Sequence, residues 1–358
     1  MSFNIKEDNL KTDKCRKMTG KSGIAFKNNV YVISEASIVG KMEGEGPLAE
    51  YFDEIENDPL AGGSSWEDAE SRFIFRCINK MLEKAALTPD KIRYLVGGDL
   101  MAQLMATSFA VKDLNIPLLG VYGACSTMAE SSLIASLLIE GGFADKAIAV
   151  TSSHFEGAEK EFRFPNAYGN QRPLASTWTV TGSGGIILSS DKKVCAKNEK
   201  QVCITGVQPG KIVDYGIKDT MNMGAAMAPA ACDTIYNHLN DFGREASYYD
   251  RIVTGDLGLI GSEIVKQLLL EKGVDISINH IDCGMEIYDI DSQDVHSGGS
   301  GCGCSAAVLC AYILKMMREG KWDRVLFVAT GALLSPVSYH ENMSVPGIAH
   351  GIVFETCN

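Results

Sequence analysis

Residues Pro117–His154 read PLLGVYGACSTMAESSLIASLLIEGGFADKAIAVTSSH. The run opens on a short apolar stretch and a Gly-rich turn at Gly120–Gly123. A helical stretch then starts near Ser126, and the Gly141–Gly142 pair stops it. Residues Lys146–Ser153 follow as a second strand, ending at His154. The helix is apolar on most faces and carries small residues at Ala129, Ser131, Ser132, Ala135 and Ser136. A helix with no polar face sits inside a large core.

The same grammar recurs downstream. Residues Ser300–Ala332, SGCGCSAAVLCAYILKMMREGKWDRVLFVATGA, match Tyr122–His154 without a gap. Asp145 falls on Asp323, Gly123 on Gly301 and Cys125 on Gly303. Upstream of each lies a second echo: Ile92–Val111 (IRYLVGGDLMAQLMATSFAV) against Asp250–Leu269 (DRIVTGDLGLIGSEIVKQLL). These are strand, Gly-Asp-Leu turn and helix. An ungapped match over turn, helix, stop and strand implies an internal duplication of about 150 residues per half. Alternating strands and helices imply α/β layers. The two equivalent helices are expected to pack together at the centre. The layout is then residues 1–20 as a mobile N-terminal tail, 21–190 as the N-terminal half and 191–358 as the C-terminal half.

Elsewhere, Gly23–Gly40 reads as a strand, Lys41–Phe52 as a surface loop and Trp66–Ala86 as an amphipathic helix. The 358 residues include 46% apolar and 22% charged residues, which excludes disorder and coiled coil. The net charge of −12 argues against nucleic-acid binding. No apolar run reaches membrane-spanning length; the best, Val325–Leu334, is broken by Thr330 and Gly331. Eleven cysteines, an odd number, with no signal-peptide pattern ahead of them, point to free thiols in a reducing compartment.

Cys125 is the residue with the clearest chemistry. It stands at a strand-to-helix turn, where the helix N-terminus favours thiolate, and Gly123 and Ala124 leave room for a ligand. The alternative is a buried small hydrophobe. Asp99 and Asp256 occupy equivalent Gly-Asp-Leu turns, either as helix caps or, for Asp99, as a calcium ligand. The Cys302–Cys304 spacing lacks the second paired motif of a zinc site. TGSGG at Thr181–Gly185 lacks the six-residue glycine pattern of a dinucleotide fingerprint. Neither a metal nor a cofactor is therefore expected.

Two α/β halves, with Ala-Cys-Ser opening the first central helix, resemble the thiolase superfamily, which includes thiolases and β-ketoacyl synthases. Further stretches are similar to a sporulation branch of it: EFRFPNAYGNQRP (Glu161–Pro173), MGAAMAPAACDTI (Met223–Ile235), HIDCGMEIYD (His280–Asp289), GGSGCGCSA (Gly298–Ala306), TGALLSP (Thr330–Pro336) and IAHGIVFE (Ile348–Glu355). The resemblance covers essentially the whole chain beyond the tail. It implies a thiolase-like fold, with two pseudo-symmetric halves forming a layered α-β-α-β-α sandwich, and a homodimer.

The superfamily's condensing enzymes pair their cysteine with a His and a second His or Asn. The resemblance places Gly255 (or Asp256) at the first of these positions and Gly299 at the second, so both partners are replaced. A thiolase-like use of His296, His280 or His350 is the alternative. What the resemblance implies for function is non-catalytic binding of dipicolinate, a planar dianion. It would act in dipicolinate uptake into and release from bacterial spores, in sporulation and germination. The ligand would be bound free or as its calcium complex, with the SpoVA membrane proteins as partners. The location is then cytoplasmic or peripheral at the spore inner membrane. Arg163 and Arg172 are the candidate carboxylate partners. His154 is a candidate hydrogen-bonding group toward ligand or thiol, and Cys125, Asp99 and Gly299 complete the candidate site. The competing readings are an acyltransferase using Cys125 as nucleophile and a scaffold that docks on the SpoVA proteins.

Overall fold

The computed structural model describes residues 17–162, 172–192 and 199–357. The first half supplies strands β1 (Gly23–Gly40), β2 (Tyr94–Gly98), β3 (Leu118–Gly120), β4 (Lys146–Ser153) and β5 (Gly182–Ser189). The second supplies β6 (Gln201–Gln208), β7 (Arg251–Thr254), β8 (His280–Asp282), β9 (Arg324–Ala332) and β10 (Gly347–Cys357). They hydrogen-bond in the order β8-β7-β9-β10-β6-β1-β5-β4-β2-β3. Outward from the β6–β1 seam, each half runs antiparallel, antiparallel, parallel, parallel. The seam is itself antiparallel, with Ile24 opposite Val207 and Val30 opposite Ile204. This mirrored order is the duplication made visible.

Helices α1 (Trp66–Ala85) and α2 (Met105–Val111) belong to the first half, and α3 (Thr127–Glu140) is its central helix. α4 (Phe155–Phe162) follows β4. In the second half, α5 (Met223–Phe242) and α6 (Gly258–Glu271) precede the central helix α7 (Cys302–Val308), which continues through a π-turn at Leu309–Ile313 into Leu314–Arg318. α3 packs on β2 and β4 of its own half and on β9 and β10 of the other; α7 packs on β4 and β5 and touches α3. The two central helices therefore form the middle layer. α1 covers β1, β4 and β5 from outside, and α5 covers β9 and β10.

Local chemistry explains the boundaries. The Ser65 side chain accepts the Asp68 N–H at 3.2 Å and caps α1, while Ala86 ends it in the left-handed region at φ 51°. Close approach in the middle layer depends on Gly184, where a Cβ would lie 2.4 Å from the Ala306 backbone. The Lys41–Phe52 stretch, expected as a surface loop, turns two side chains inward, Glu43 and Leu48. Glu43 is buried and accepts hydrogen bonds from the Thr181 N–H at 2.9 Å and from the Tyr288 hydroxyl of the second half. No helix among the described residues is long and apolar enough to cross a membrane.

Candidate functional site

The turn that presents Cys125 is held from several sides. Ser126 Oγ donates to Gly123 O at 2.6 Å and Thr127 Oγ1 to Ala124 O at 2.6 Å. Ala124 takes the left-handed conformation at φ 49°, which strains a residue with a Cβ. The second half presses against this turn. A Cβ on Gly331 of β9 would lie 2.2 Å from Gly123 O, so only glycine fits there.

The Cys125 thiol, 4% exposed, lies at the base of a partly enclosed cavity of about 40 Å³, room for a few waters. Leu100, Tyr122, Ala158, Thr220, Met223 and Leu334 line it, and the buried Ser300 and Gly301 form its floor beside Cys125. The cavity thus sits where α3, α5 and α7 begin, and the residues come from both halves. Glu159 also lines it, and no Lys, Arg or His does among the described residues.

Behind the floor stands Asp256, fully buried. Its Oδ2 accepts the Ser300 hydroxyl at 2.8 Å and the Gly301 N–H at 3.0 Å, and its Oδ1 accepts the Thr330 hydroxyl at 2.8 Å. Ser300 Oγ in turn lies 3.9 Å from Cys125 Sγ. Burial lifts the Asp256 carboxyl above its ordinary value, against these hydrogen bonds. Burial also pushes the Cys125 thiol well above its ordinary value, and the Asp256 charge adds to this. The expectation of a thiolate favoured by the helix N-terminus is corrected here: loss of water and a neighbouring carboxylate outweigh the helix.

At the first partner position the alternative, Asp256, and not Gly255, lies near the thiol, and at the second Ser300 stands there in place of Gly299. Gly255 and Gly299 do not face the thiol. A Cβ on Gly255 would meet Thr330 N at 2.9 Å, and one on Gly299 would meet Ile287 Cγ2 at 2.8 Å. The side chains gathered about Cys125 are one residue further on, Ser300 beside it and Asp256 behind. Ser300 was missed, although a signal existed: the offset that sets Gly123 on Gly301 sets Tyr122 on Ser300, and both line the cavity.

The other candidates lie away from the cavity lining. His154 is buried in its own half, where Nε2 donates to Pro59 O at 2.8 Å, Nδ1 lies 3.2 Å from Glu156, and the ring stacks 5.7 Å from Trp66. It does not line the cavity that holds Cys125. Arg172 donates through Nη2 to Asp294 O at 2.8 Å and Oδ2 at 3.1 Å, with its guanidinium 4.8 Å from the Trp178 ring centroid. Trp178 stacks in turn on Phe155 at 3.8 Å. Arg172 therefore clamps the two halves together. Arg163 lies outside the described residues. Asp99 turns inward to accept the N–H groups of Met101 at 2.8 Å and Thr107 at 2.7 Å, which is capping and leaves it off the lining. His296 bonds Pro173 O at 2.9 Å, His280 bonds Thr254 Oγ1 at 2.9 Å, and His350 accepts the Gly210 N–H at 3.1 Å. None of the three lines the cavity.

A doubled α/β half with a cysteine opening the first central helix defines a thiolase-like protein, and solved structures share that fold. The 3-oxoacyl-[acyl-carrier-protein] synthase III of Aquifex aeolicus superposes with a TM-score of 0.54 at 10% identity, covering 91% of this chain and 99% of the synthase. OleA of Xanthomonas campestris, with cerulenin bound, superposes at 0.55 and 15% identity, over 92% and 97%. Within that class the chain belongs to the stage V sporulation protein AD (SpoVAD) family. The family model matches residues 20–355. The stage V sporulation protein AD of Bacillus subtilis is 45% identical over 339 residues, 95% of this chain and 98% of its own.

Proposed function

We propose that this member of the sporulation family binds dipicolinate without catalysing acyl transfer, and that it serves dipicolinate uptake and release in spores, during sporulation and germination. The observation that carries this reading is the exchange at the cavity floor. Acyl transfer through a cysteine needs a base and oxyanion donors. Here a protonated, buried Cys125 faces a serine backed by a carboxylate, and no imidazole among the described residues lines the space. What persists is a cavity between two halves at the start of three helices, a place suited to a small anion. Its size requires that side chains such as Phe162 and Leu334 swing aside on binding.

Operation at a membrane would need partners, and the SpoVA membrane proteins are the ones the family suggests. A homodimer, a peripheral place at the spore inner membrane and uptake as the calcium chelate belong to the same proposal. Titration calorimetry with dipicolinate, with and without calcium, tests it. The wild type is expected to bind, and Thr220→Trp, which fills the cavity from a half-buried position on its lining, to lose binding while keeping its fold. Wild type that gives neither heat nor a thermal shift refutes the reading. The retained Cys125 favours the acyltransferase as the second reading. An acyl adduct on Cys125 with turnover, after exposure to acyl-CoA, would establish it.

A further inference from the structure

A pair of cysteines far from the candidate site has chemistry of its own. In the β6–β10 ladder, Glu355 is opposite Cys203 and Cys357 is opposite Gln201. Side chains two apart on a strand share a face, so Cys203 and Cys357 are diagonal neighbours on one face. Cys203 Sγ donates to Glu355 O at 3.4 Å and Cys357 Sγ to Gln201 O at 3.7 Å, so each thiol leans across toward the other's strand. Each thiol's proton is thus engaged by a carbonyl of the facing strand.

Cys357 differs from the other described thiols, its buried neighbour Cys203 included. Cys77, Cys125, Cys232, Cys283, Cys302, Cys304 and Cys310 are all buried, and burial pushes each upward. Cys357 is the described cysteine that reaches solvent. The neighbouring Cys203 holds its thiol below the ordinary value, with help from Lys192 and against burial. An accessible thiolate beside a resolving thiol is the arrangement of redox-responsive pairs.

We propose that Cys203 and Cys357 are a peroxide-responsive thiol pair that closes to a disulfide between β10 and the seam strand β6. The Cys357 thiolate attacks hydrogen peroxide, its O–O bond breaks, and a sulfenic acid and water result once a proton is taken up. The Cys203 thiol then attacks the sulfenic sulfur. The S–S bond forms, the S–O bond breaks, and the leaving hydroxide takes the Cys203 proton as a second water. Two thiols lose two electrons and two protons, and one peroxide becomes two waters. The diagonal spacing requires the end of β10 to shift toward Cys203, and Cys357 is the last rung of the described ladder. The cross-link would join the final strand covalently to the strand that seals the two halves.

The full chain, reduced and freed of reductant, is treated with hydrogen peroxide, alkylated and mapped as non-reduced peptides. The expected result is a Cys203–Cys357 linked peptide lighter by two hydrogens and abolished by dithiothreitol. It should be lost in Cys357→Ser, and in Cys203→Ser Cys357 should be trapped by dimedone as the sulfenic acid. Over-oxidised Cys357 beside an alkylatable Cys203 overturns the proposal. So does Cys357 linked to Cys15, to Cys195 or to a second chain, and so does a wild type in which both thiols remain alkylatable. The wild-type map decides the matter whether or not the variants fold.

Discussion

Substituting Glu43 by Gln should flatten part of the protein's pH dependence of stability. Glu43 is fully buried where the first half meets the second, and its Oε1 accepts both the Thr181 N–H and the Tyr288 hydroxyl. Burial raises its carboxyl from 4.5 to about 7, with those two hydrogen bonds opposing the rise. The folded chain therefore holds a proton that the unfolded chain has already released between those pH values. Stability from this group is fully present below pH 4.5 and falls as pH climbs toward 7. At about 1.4 kcal/mol per unit over an interval of about 2.5 units, the loss is about 3 kcal/mol. Gln keeps a carbonyl for both donors but has no proton to lose. Its different fit shifts the whole curve by a constant amount and leaves the slope untouched. Urea unfolding of wild type and Glu43→Gln at intervals between pH 4.5 and 8 gives the difference in stability at each pH. That difference should move by about 3 kcal/mol in favour of the variant as pH rises. Parallel curves, constant to within about 0.5 kcal/mol, would refute the assignment of a buried carboxyl titrating near neutrality.

Two further outcomes follow from other contacts. Arg318, at the end of the second central helix, forks onto Glu35 of β1 at 2.9 and 2.6 Å and also donates to Val32 O at 3.1 Å. Arg318→Met should cost about 3–5 kcal/mol in chemical denaturation, because it takes the guanidinium fork away from a largely buried carboxylate, and the double variant with Glu35→Met should recover most of it. At the cavity, iodoacetamide should modify Cys125 at neutral pH at least about tenfold more slowly than glutathione. Asp256→Asn, by removing the second cause of the raised thiol, should quicken that reaction in peptide mass spectrometry. Labelling of wild-type Cys125 as fast as the free thiol would contradict the protonated cysteine.

The Cys125 helix was legible because its cues are local. Small and apolar residues on every face, a glycine turn before it and a glycine pair after it are read along the chain, and α3 spans Thr127–Glu140 accordingly. The expected surface loop at Lys41–Phe52 departs from that reading at Glu43, which owes its burial to Tyr288, a residue 245 positions away. His154 and Arg172 were plausible ligand groups by residue type. The packing of Trp66 on one and the placing of Asp294 beside the other gave them different partners.

The sequence by itself determined the doubled architecture, the place of Cys125 at the opening of a buried helix and the family resemblance. Periodicity, turns and ungapped repeats all live in nearest-neighbour order. Only the tertiary structure decided what faces that cysteine. The floor of the cavity is made where Gly331 lets the second half close on Gly123, and that approach brings Ser300 to the thiol with Asp256 behind it. A register shift of one residue exchanges a glycine pressed on backbone for a side chain in the site. That choice is made by packing between residues far apart in the chain, and the repeat offset that sets Tyr122 on Ser300 is the trace it leaves along the sequence.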